Sequence, residues 1–240
     1  MTYDADNACD RDMMACFQAD GICEPEVICA MQRIVREGDT VIDGGANIGF
    51  FTVYLAQLVG PTGKVFAIEP GENNLWKLEE NVRLNKLKNV EIVRKPLWHS
   101  HETVTLYMRH EGGRNSLWPD EGYRGNAQIE ACTLADFPEA RLIKLDIEGS
   151  EADALQGVGE GENAQCPFVI AEMNEAALKY MGSDQTDLRA LSTDTFLLQK
   201  DGNLPMLVPS GTKIVSDRQN VNILLSTIED VSTVWKEVRV

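Results

Sequence analysis

Acidic side chains stand at the ends of several apolar segments that have the length and composition of strands. Asp43 ends the first segment, Glu69 ends the second, and Asp146 with Glu148 follows the fourth. The carboxyl ends of parallel strands meet at one edge of a sheet, where such sheets bind their ligands. Carboxylates there can accept hydrogen bonds, balance a cationic ligand or act as general bases. The pattern predicts an acidic cleft that binds a ligand and acts on it chemically.

A glycine-rich turn joins the first apolar segment to a long apolar segment that we predict to be a helix. The turn is Asp43-Gly44-Gly45-Ala46-Asn47-Ile48-Gly49. Glycines let a ligand approach the backbone, Asn47 tolerates a left-handed conformation, and the first N–H groups of the helix stay free. With Glu69, which can accept hydrogen bonds from two ribose hydroxyls, the turn is typical of adenosine-binding sites. This combination does not separate NAD from S-adenosylmethionine.

Two features of the turn favour S-adenosylmethionine over NAD. Ala46 stands where the dinucleotide pattern Gly-x-Gly-x-x-Gly has its second glycine. Asp43 would lie beside the diphosphate of a dinucleotide and repel it, whereas a carboxylate suits a sulfonium ion that also carries an amino group. The alternative is that Asp43 only stabilises the turn.

Strand and helix patterns alternate along the chain, which predicts a doubly wound, mostly parallel α/β sheet. Between the third and fourth parallel strands, residues 102–109 and 127–134 alternate apolar and polar side chains, which predicts an inserted antiparallel hairpin. The other predicted strands are 40–44, 63–70, 90–97, 141–147, 167–173, 195–200 and 220–226. The predicted helices are 24–39, 48–59, 72–87, 150–157 and 184–192.

Composition limits the classes of protein and partner. The 240 residues suit one domain, and 43% of them are hydrophobic, which is ordinary for a globular protein. A net charge of −16 disfavours nucleic acid and anionic membranes as partners. The acidic start does not resemble a signal peptide and no apolar run is long enough to span a membrane, so we expect a cytoplasmic protein. The six cysteines include no Cys-x-x-Cys pair, which argues against a zinc or thioredoxin-like site.

Five stretches of the chain resemble the FkbM family of S-adenosylmethionine-dependent methyltransferases. They are VIDGGANIGFFT, VFAIEP, LEENVRLN, TLADF and IKLDIEGSEADALQG, and the likeness runs from about residue 22 to residue 175. The resemblance implies a class I methyltransferase fold, Rossmann-like, and O-methylation of a small molecule or sugar. We predict one compact domain, made of an N-terminal helical cap segment, 1–37, and an S-adenosylmethionine-binding part, 38–240.

The resemblance also implies roles for individual residues. Asp43, Gly45, Asn47 and Glu69 would hold the cofactor. Pro96, Leu97 and Trp98 would line the adenine, and Asp146 to Gly149 would lie at the reaction centre. The family more often has a small residue and an acid where this chain has Trp98 and His99. We add Ala46 and Gly49 of the turn, and Asp146, to the predicted cofactor contacts.

Methyl transfer requires that the acceptor atom be aligned with the methyl group and that water be excluded. A hydroxyl acceptor also benefits from a general base, and we predict Glu148 in this role, with Asp146 and Glu172 beside it. Alternation along the fourth strand would put Asp146 and Glu148 on the same side. The alternative for Glu148 is stabilisation of the following helix at its N-terminus. His99 is a further candidate base.

Other polar residues fit the acceptor or a metal. We predict that Asn115, Ser116 and Asn174 bind the substrate, with Arg114 in the same glycine-rich insertion as part of a lid; an ordinary solvated loop is the alternative. Asp146, Glu172 and Asn174 are similar in residue type to the magnesium site of catechol O-methyltransferases. Three matching residue types are weak support, so we predict a metal-independent enzyme.

Two other functions stay open at the level of the sequence. An NAD(P)-dependent oxidoreductase would share the fold, but the chain has no Tyr-x-x-x-Lys pair and its glycine turn is degraded. A non-catalytic module that keeps the cofactor pocket would show the same motifs. The preferred prediction is an S-adenosylmethionine-dependent O-methyltransferase with a small-molecule acceptor.

Overall fold

The computed structural model describes residues 23–109, 114–119, 122–158, 166–190, 192, 194–199, 205–209, 211–214, 220–227 and 231. Most of the predicted cap segment 1–37 therefore lies outside the described residues. In the described part, the strands are β1 (Thr40–Gly44), β2 (Lys64–Ile68), β3 (Val90–Val93), β4 (Thr103–Arg109), β5 (Tyr123–Glu130), β6 (Leu142–Leu145), β7 (Phe168–Asn174), β8 (Asp194–Leu197), β9 (Met206–Val208) and β10 (Asn220–Ser226). The α-helices are α1 (Pro25–Ile34), α2 (Phe50–Leu58), α3 (Glu72–Leu84), α4 (Glu151–Gln156), α5 (Glu175–Tyr180) and α6 (Gln185–Arg189).

The main sheet has the strand order β3-β2-β1-β6-β7-β10-β8-β9. From β3 to β7 neighbouring strands are parallel, whereas β10 is antiparallel to both β7 and β8, and β9 is antiparallel to β8. Strands β4 and β5 form a separate antiparallel hairpin inserted between β3 and β6. The predicted doubly wound, mostly parallel sheet and its hairpin insertion are confirmed.

The parallel strands are apolar because both faces of the sheet are covered. Strand β6, with the sequence Leu-Ile-Lys-Leu, is buried along its whole length. One face packs on α1 and α2, and the other packs on α4 and the 3₁₀ turn Leu134–Asp136. Because β1 pairs in parallel with both β2 and β6, the carboxyl ends of these three strands lie side by side.

Several element boundaries differ from the sequence prediction for local reasons. Helix α1 ends at Ile34 because Val35 adopts an extended backbone, and Gly38, at φ +91°, turns the chain towards β1. Strand β3 ends at Val93, four residues early. Strand β5 ends at Glu130 because the next residues pair elsewhere: Cys132 N–H donates to Pro96 O at 2.9 Å. Helix α5 and strand β9 are short elements that the sequence pattern does not predict.

Candidate active site

The glycine turn after β1 is held between the neighbouring strands. Gly45 and Ala46 donate their N–H groups to Ile68 O at the end of β2, each at 3.0 Å. Gly45 has φ +77°, and a Cβ on it would lie 1.9 Å from the backbone oxygen of Asp146. Asn47, at φ +50°, has the left-handed conformation expected from the sequence. Only glycine fits position 45, because a side chain there would collide with the backbone of Asp146 and because φ is positive.

Asp43 lies beneath this turn and not on its surface. Its side chain is 0% exposed, and Thr52 Oγ1 donates a hydrogen bond to Asp43 Oδ2 at 2.6 Å. Lys144 Nζ lies 3.8 Å from Asp43 Oδ1. Burial raises the pKa of Asp43, and the charge of Lys144 opposes the rise. The expectation that Asp43 presents a free carboxylate to the ligand needs correction, because Lys144 shares its charge.

Lys144 is not among the site residues predicted from the sequence, although a lysine inside an apolar strand was a signal. The residue is 4% exposed, and its Nζ lies 3.2 Å from Asp146 Oδ2 and 4.8 Å from the centre of the Phe51 ring. Burial disfavours its charged form, yet Asp146 and Asp43 outweigh burial and raise the pKa of Lys144. The ammonium group therefore joins the carboxylates that end β1 and β6.

Glu69 connects the end of β2 to the glycine turn. It is 4% exposed; its Oε2 accepts from Asn47 N–H at 2.9 Å, and its Oε1 accepts from Gly71 N–H at 2.8 Å. Asn74 Nδ2 lies 3.3 Å from the same Oε1. Burial raises the pKa of Glu69 to about 7, and these hydrogen bonds oppose the rise. The structure thus brings Asn47 and Glu69 together, as the sequence predicts.

A cavity opens at the carboxyl ends of β1, β2 and β6. Its volume is about 40 Å³, well below that of a pocket for a whole nucleotide. Asn115 reaches over it from the insertion and donates through Nδ2 to Asn73 Oδ1 at 2.9 Å. The lining residues are Gly45, Ile68, Pro70, Pro96, Leu97, Leu106, Asn115, Ser116, Leu117, Asp146, Ile147 and Ser150. The predicted substrate residues Asn115 and Ser116 therefore lie with the predicted cofactor residues.

Trp98 is placed differently from its neighbour Leu97. Its indole Nε1 donates to Glu102 Oε1 at 2.8 Å, and its ring packs on His99 with centroids 4.8 Å apart. Leu97 bridges to Cys132 and lines the cavity. The prediction that Trp98 lines the adenine is at odds with this placement, because the hairpin holds the indole ring against Glu102. The candidate base His99 also lies there, 3.7 Å from Glu102.

Glu151, and not Glu148, makes the helix-stabilising contacts that the sequence suggests as the alternative role of Glu148. Glu151 Oε1 accepts from Ile147 N–H at 2.9 Å and Gly149 N–H at 3.3 Å, so Glu151 stabilises the loop that leads into α4. Glu148 has φ +56°, and its Oε1 lies 3.7 Å from Arg114 Nε. Burial and then the charge of Asp146 raise the pKa of Glu148 to about 7, against Arg114.

Because β6 ends at Leu145, strand alternation does not continue to Glu148, and the sequence argument for its direction does not hold. Two aromatic side chains that the sequence pattern does not single out lie beside it. Trp118 Nε1 donates to Glu148 O at 2.5 Å, and the Trp118 ring lies 4.9 Å from that of Tyr180, which is 58% exposed.

The predicted residues on β7 serve different purposes. Asn174 Oδ1 accepts from Ala177 N–H at 3.1 Å and so caps α5. This hydrogen bond occupies a side chain that we predicted to bind substrate. Glu172 lies opposite Asn222 in the β7–β10 ladder. Within the residues that the structure describes, no group of three or more histidine, cysteine or acidic side chains is arranged to hold a metal.

The described residues include no helix with the length and apolar character needed to cross a membrane.

The fold and the site together define the class I methyltransferases, proteins that bind S-adenosylmethionine at this edge of the sheet. Fibrillarin from Aeropyrum pernix, solved with bound S-adenosylmethionine, superimposes with a TM-score of 0.51 at 11% identity, covering 84% of this chain and 76% of that one. At that identity the likeness supports the fold alone.

A family model described as the methyltransferase FkbM domain matches residues 43–197. The chain therefore belongs to the FkbM methyltransferase family, and its cofactor is S-adenosylmethionine. The methyltransferase sdnD from Sordaria araneosa is 27% identical in an alignment 157 positions long that covers 50% of this chain and 60% of that protein. A tRNA (cytosine(72)-C(5))-methyltransferase from Pyrococcus horikoshii is 36% identical over 69 residues, 29% of this chain and 18% of its own. Each alignment spans less than two thirds of the relative.

The polar groups around the cavity fit this cofactor. Asn115 Oδ1 and Ser150 Oγ are buried in its lining and have no hydrogen-bond partner among the described residues. Gly45 lines the same cavity and carries no side chain, so its backbone is accessible to a ligand there. Buried polar atoms without partners are costly, and ligand hydroxyl and amino groups would satisfy them.

Proposed function

We propose that the protein is an S-adenosylmethionine-dependent O-methyltransferase that acts on a hydroxyl or carboxyl group of a small molecule. The observation that carries this proposal is the position of Glu148. A carboxyl group with a pKa near 7 lies within electrostatic reach of Asp146, which lines the cofactor cavity. A base with that pKa is suited to accept the proton of a hydroxyl acceptor at neutral pH.

The residues around the cavity would hold the cofactor as follows. Glu69 accepts hydrogen bonds from the ribose hydroxyls, Gly45 with Ala46 and Gly49 lets the cofactor approach the backbone, and Leu97 packs on the adenine. Asp146, which lines the cavity, faces the positive charges of the methionine part, and Asp43 acts from beneath the turn through its ion pair with Lys144. When bound, S-adenosylmethionine supplies an electrophilic methyl group on a positively charged sulfur. The tight contact between Gly45 and Asp146 supports this assignment, since it leaves no side chain in the way.

On the acceptor side, Glu148 takes the proton of the hydroxyl, and the charge of Arg114 favours the ionised form of Glu148 that can accept it. Trp118 and Tyr180 give the acceptor an apolar surface beside Glu148, and Trp118 fixes the Glu148 backbone through its hydrogen bond. Glu172 lies one strand further along the same edge and completes the acidic side of the cleft.

A nucleic-acid acceptor is the second candidate, supported by the short alignment with the archaeal tRNA methyltransferase. Charge favours the small molecule. A net charge of −16 repels a phosphate backbone over the whole surface, and proteins that bind RNA usually present a basic face.

Transfer of labelled methyl groups tests the proposal. The protein is incubated with S-adenosylmethionine that carries a labelled methyl group, in one sample with a metabolite extract and in another with total RNA. We expect label in small molecules, and it should be released by ester or ether cleavage. Label in RNA alone would support the second candidate and contradict the first.

Binding measurements separate the remaining alternatives. We expect S-adenosylmethionine, and not NAD(P)H, to raise the melting temperature. Stabilisation by the nicotinamide cofactor alone would favour an oxidoreductase. Binding of S-adenosylmethionine without transfer to any pool of acceptors would favour a non-catalytic module.

A further inference from the structure

A buried polar cluster joins the start of α1 to β10. Glu24 precedes α1 and has φ +47° and ψ +63°, a left-handed conformation that residues other than glycine rarely adopt. Asn222 Nδ2 lies 3.0 Å from Glu24 Oε2 and 3.5 Å from Glu26 Oε1. Because Asn222 lies on β10, one amide group holds these two carboxylates at the edge of the sheet where the cofactor cavity opens.

This cluster is continuous with the charges under the glycine turn. Lys144 contacts Asp43 and Asp146, and Glu24 lies within electrostatic reach of both Lys144 and Asp146. Burial, followed by the charge of Asp146, raises the pKa of Glu24. Three carboxylates thus converge on one ammonium group, and the surplus of negative charge favours a second cation.

Two oxygen atoms of these acids are buried without a donor. Glu26, which is 9% exposed, and Asp43, which is 0% exposed, each have one carboxylate oxygen with no hydrogen-bond partner among the residues described. A buried carboxylate oxygen gains much from a charged donor and loses much without one. The cluster therefore lacks N–H donors as well as positive charge.

We propose that Glu24, supported by Glu26, binds the amino group of the methionine part of S-adenosylmethionine. That ammonium group brings one positive charge and three donors, which match the surplus charge and the unpartnered oxygen of Glu26. Lys144 already occupies Asp43 and Asp146, so Glu24 is the carboxylate left to serve the ligand.

Glu24 lies outside residues 43–197, where the family model matches, so an element beyond the matched domain completes the cofactor pocket. The inference rests on the proposed function in one respect, because it takes the cofactor to lie over Gly45 and Asp146.

Two cofactor fragments separate a ligand contact from a structural role. S-adenosylhomocysteine has the amino-acid part and lacks the methyl group, whereas 5′-methylthioadenosine lacks the amino-acid part. In titration calorimetry we expect Glu24→Gln to weaken S-adenosylhomocysteine about tenfold or more, as for a lost charge-assisted hydrogen bond, and to leave 5′-methylthioadenosine unchanged. Glu37→Gln, at an exposed acid just after the same helix, should change neither.

Unchanged binding of S-adenosylhomocysteine to Glu24→Gln would overturn the inference. Equal weakening of both fragments would also overturn it, since that result would indicate a general disturbance of the pocket. Glu69→Gln reports separately on the proposed function: it should weaken both fragments because both contain the ribose. If Glu69→Gln has no effect either, the proposed pocket itself is wrong.

Discussion

Three carboxyl groups shielded from solvent control how this site binds its ligand and how its properties depend on pH. Glu69, Glu148 and Glu151 each have a pKa near 7, and burial is the main cause in each case. Their partners differ. Glu69 accepts from the glycine turn, Glu151 accepts from the loop before α4, and Glu148 faces Arg114. We therefore expect replacement of each acid by its amide to affect a different property.

Glu69→Gln should weaken S-adenosylmethionine binding by about 1.5–3 kcal/mol, because a neutral amide loses charge-assisted hydrogen bonds to the ribose. Titration calorimetry gives the dissociation constant. Glu72→Gln, an exposed acid in the first turn of α3, is the control and should bind normally. Equal affinity of Glu69→Gln and the native protein would show that the ribose lies elsewhere.

Glu148→Gln should lower turnover by about 10²–10⁴, the range for loss of a general base. Cofactor affinity should hold nearly constant, because Glu148 acts on the acceptor. Initial rates with saturating cofactor measure the effect. Full activity with a lower melting temperature would make Glu148 a structural carboxylate.

Glu151→Gln is the matched comparison for that experiment. It should lower the melting temperature more than Glu148→Gln, because it weakens two hydrogen bonds to the loop N–H groups of Ile147 and Gly149. Thermal denaturation of the two variants side by side measures the difference. The reverse order of stability would mean that the two acids have exchanged roles.

Among the elements, the turn between β1 and α2 is the one under the tightest constraint. It is bonded to the end of β2 and lies directly against the backbone of β6, so three neighbouring strands fix its position. A rigid turn costs little entropy when a ligand binds, because the contact groups are already in place.

Gly45→Ala tests this constraint against a control with a similar backbone. Gly211, at φ +78°, has no atom of the described residues within 4 Å of the position that a Cβ would take, so Gly211→Ala should cost only the strain of a left-handed residue, about 1–2 kcal/mol. Gly45→Ala should cost about 1–3 kcal/mol more, because its Cβ collides with Asp146 O. Urea denaturation measures both losses. Equal losses would show that β1 and β6 separate easily.

The elements were predictable from the sequence where their patterns are local. The apolar strands, the Gly45 turn and the hairpin insertion follow from the spacing of apolar and glycine residues over a few positions. The short elements α5 and β9 have too few residues to show a period. Where β3 and β5 end depends on the pairing of Leu97 with Cys132, 35 positions apart in the chain, which no local pattern contains.

The site was likewise predictable only where its residues follow local sequence patterns. That Glu69 and Asn47 lie together could be predicted because each ends or follows a strand at the same edge of the sheet. Lys144 could not, since its role depends on two carboxylates from different strands. The division of labour between Glu148 and Glu151 depends on how the backbone leaves β6, at a residue with positive φ that the sequence does not mark.

On the scale of the whole molecule, the negative net charge and the burial of carboxyl groups both make the folded protein more stable at lower pH. The net charge of −16 produces repulsion that falls as pH falls. The raised pKa values of Glu69, Glu148 and Glu151 mean that the folded protein binds more protons than the unfolded chain between pH 4.5 and about 7. Their contribution to stability is therefore complete below pH 4.5 and is lost as pH rises through 7.

The melting temperature of the free protein should accordingly rise when pH is lowered from about 8 to about 6. In about 1 M salt, which screens surface repulsion, part of the rise should persist because buried groups are screened less. A melting temperature that falls steadily over this range would contradict the raised pKa values. Cofactor affinity should fall when pH is lowered over the same range, because the ribose hydroxyls bind more strongly to an ionised Glu69.

The position of β10 has a consequence for the order in which the chain can be assembled. β10 follows β8 and β9 in sequence, yet it lies between β7 and β8 in the sheet. During synthesis, β8 and β9 emerge from the ribosome first and have no strand of the main sheet to join until β10 arrives. Folding of this half must therefore wait for distant contacts, which slows it and exposes open strand edges to association with other chains.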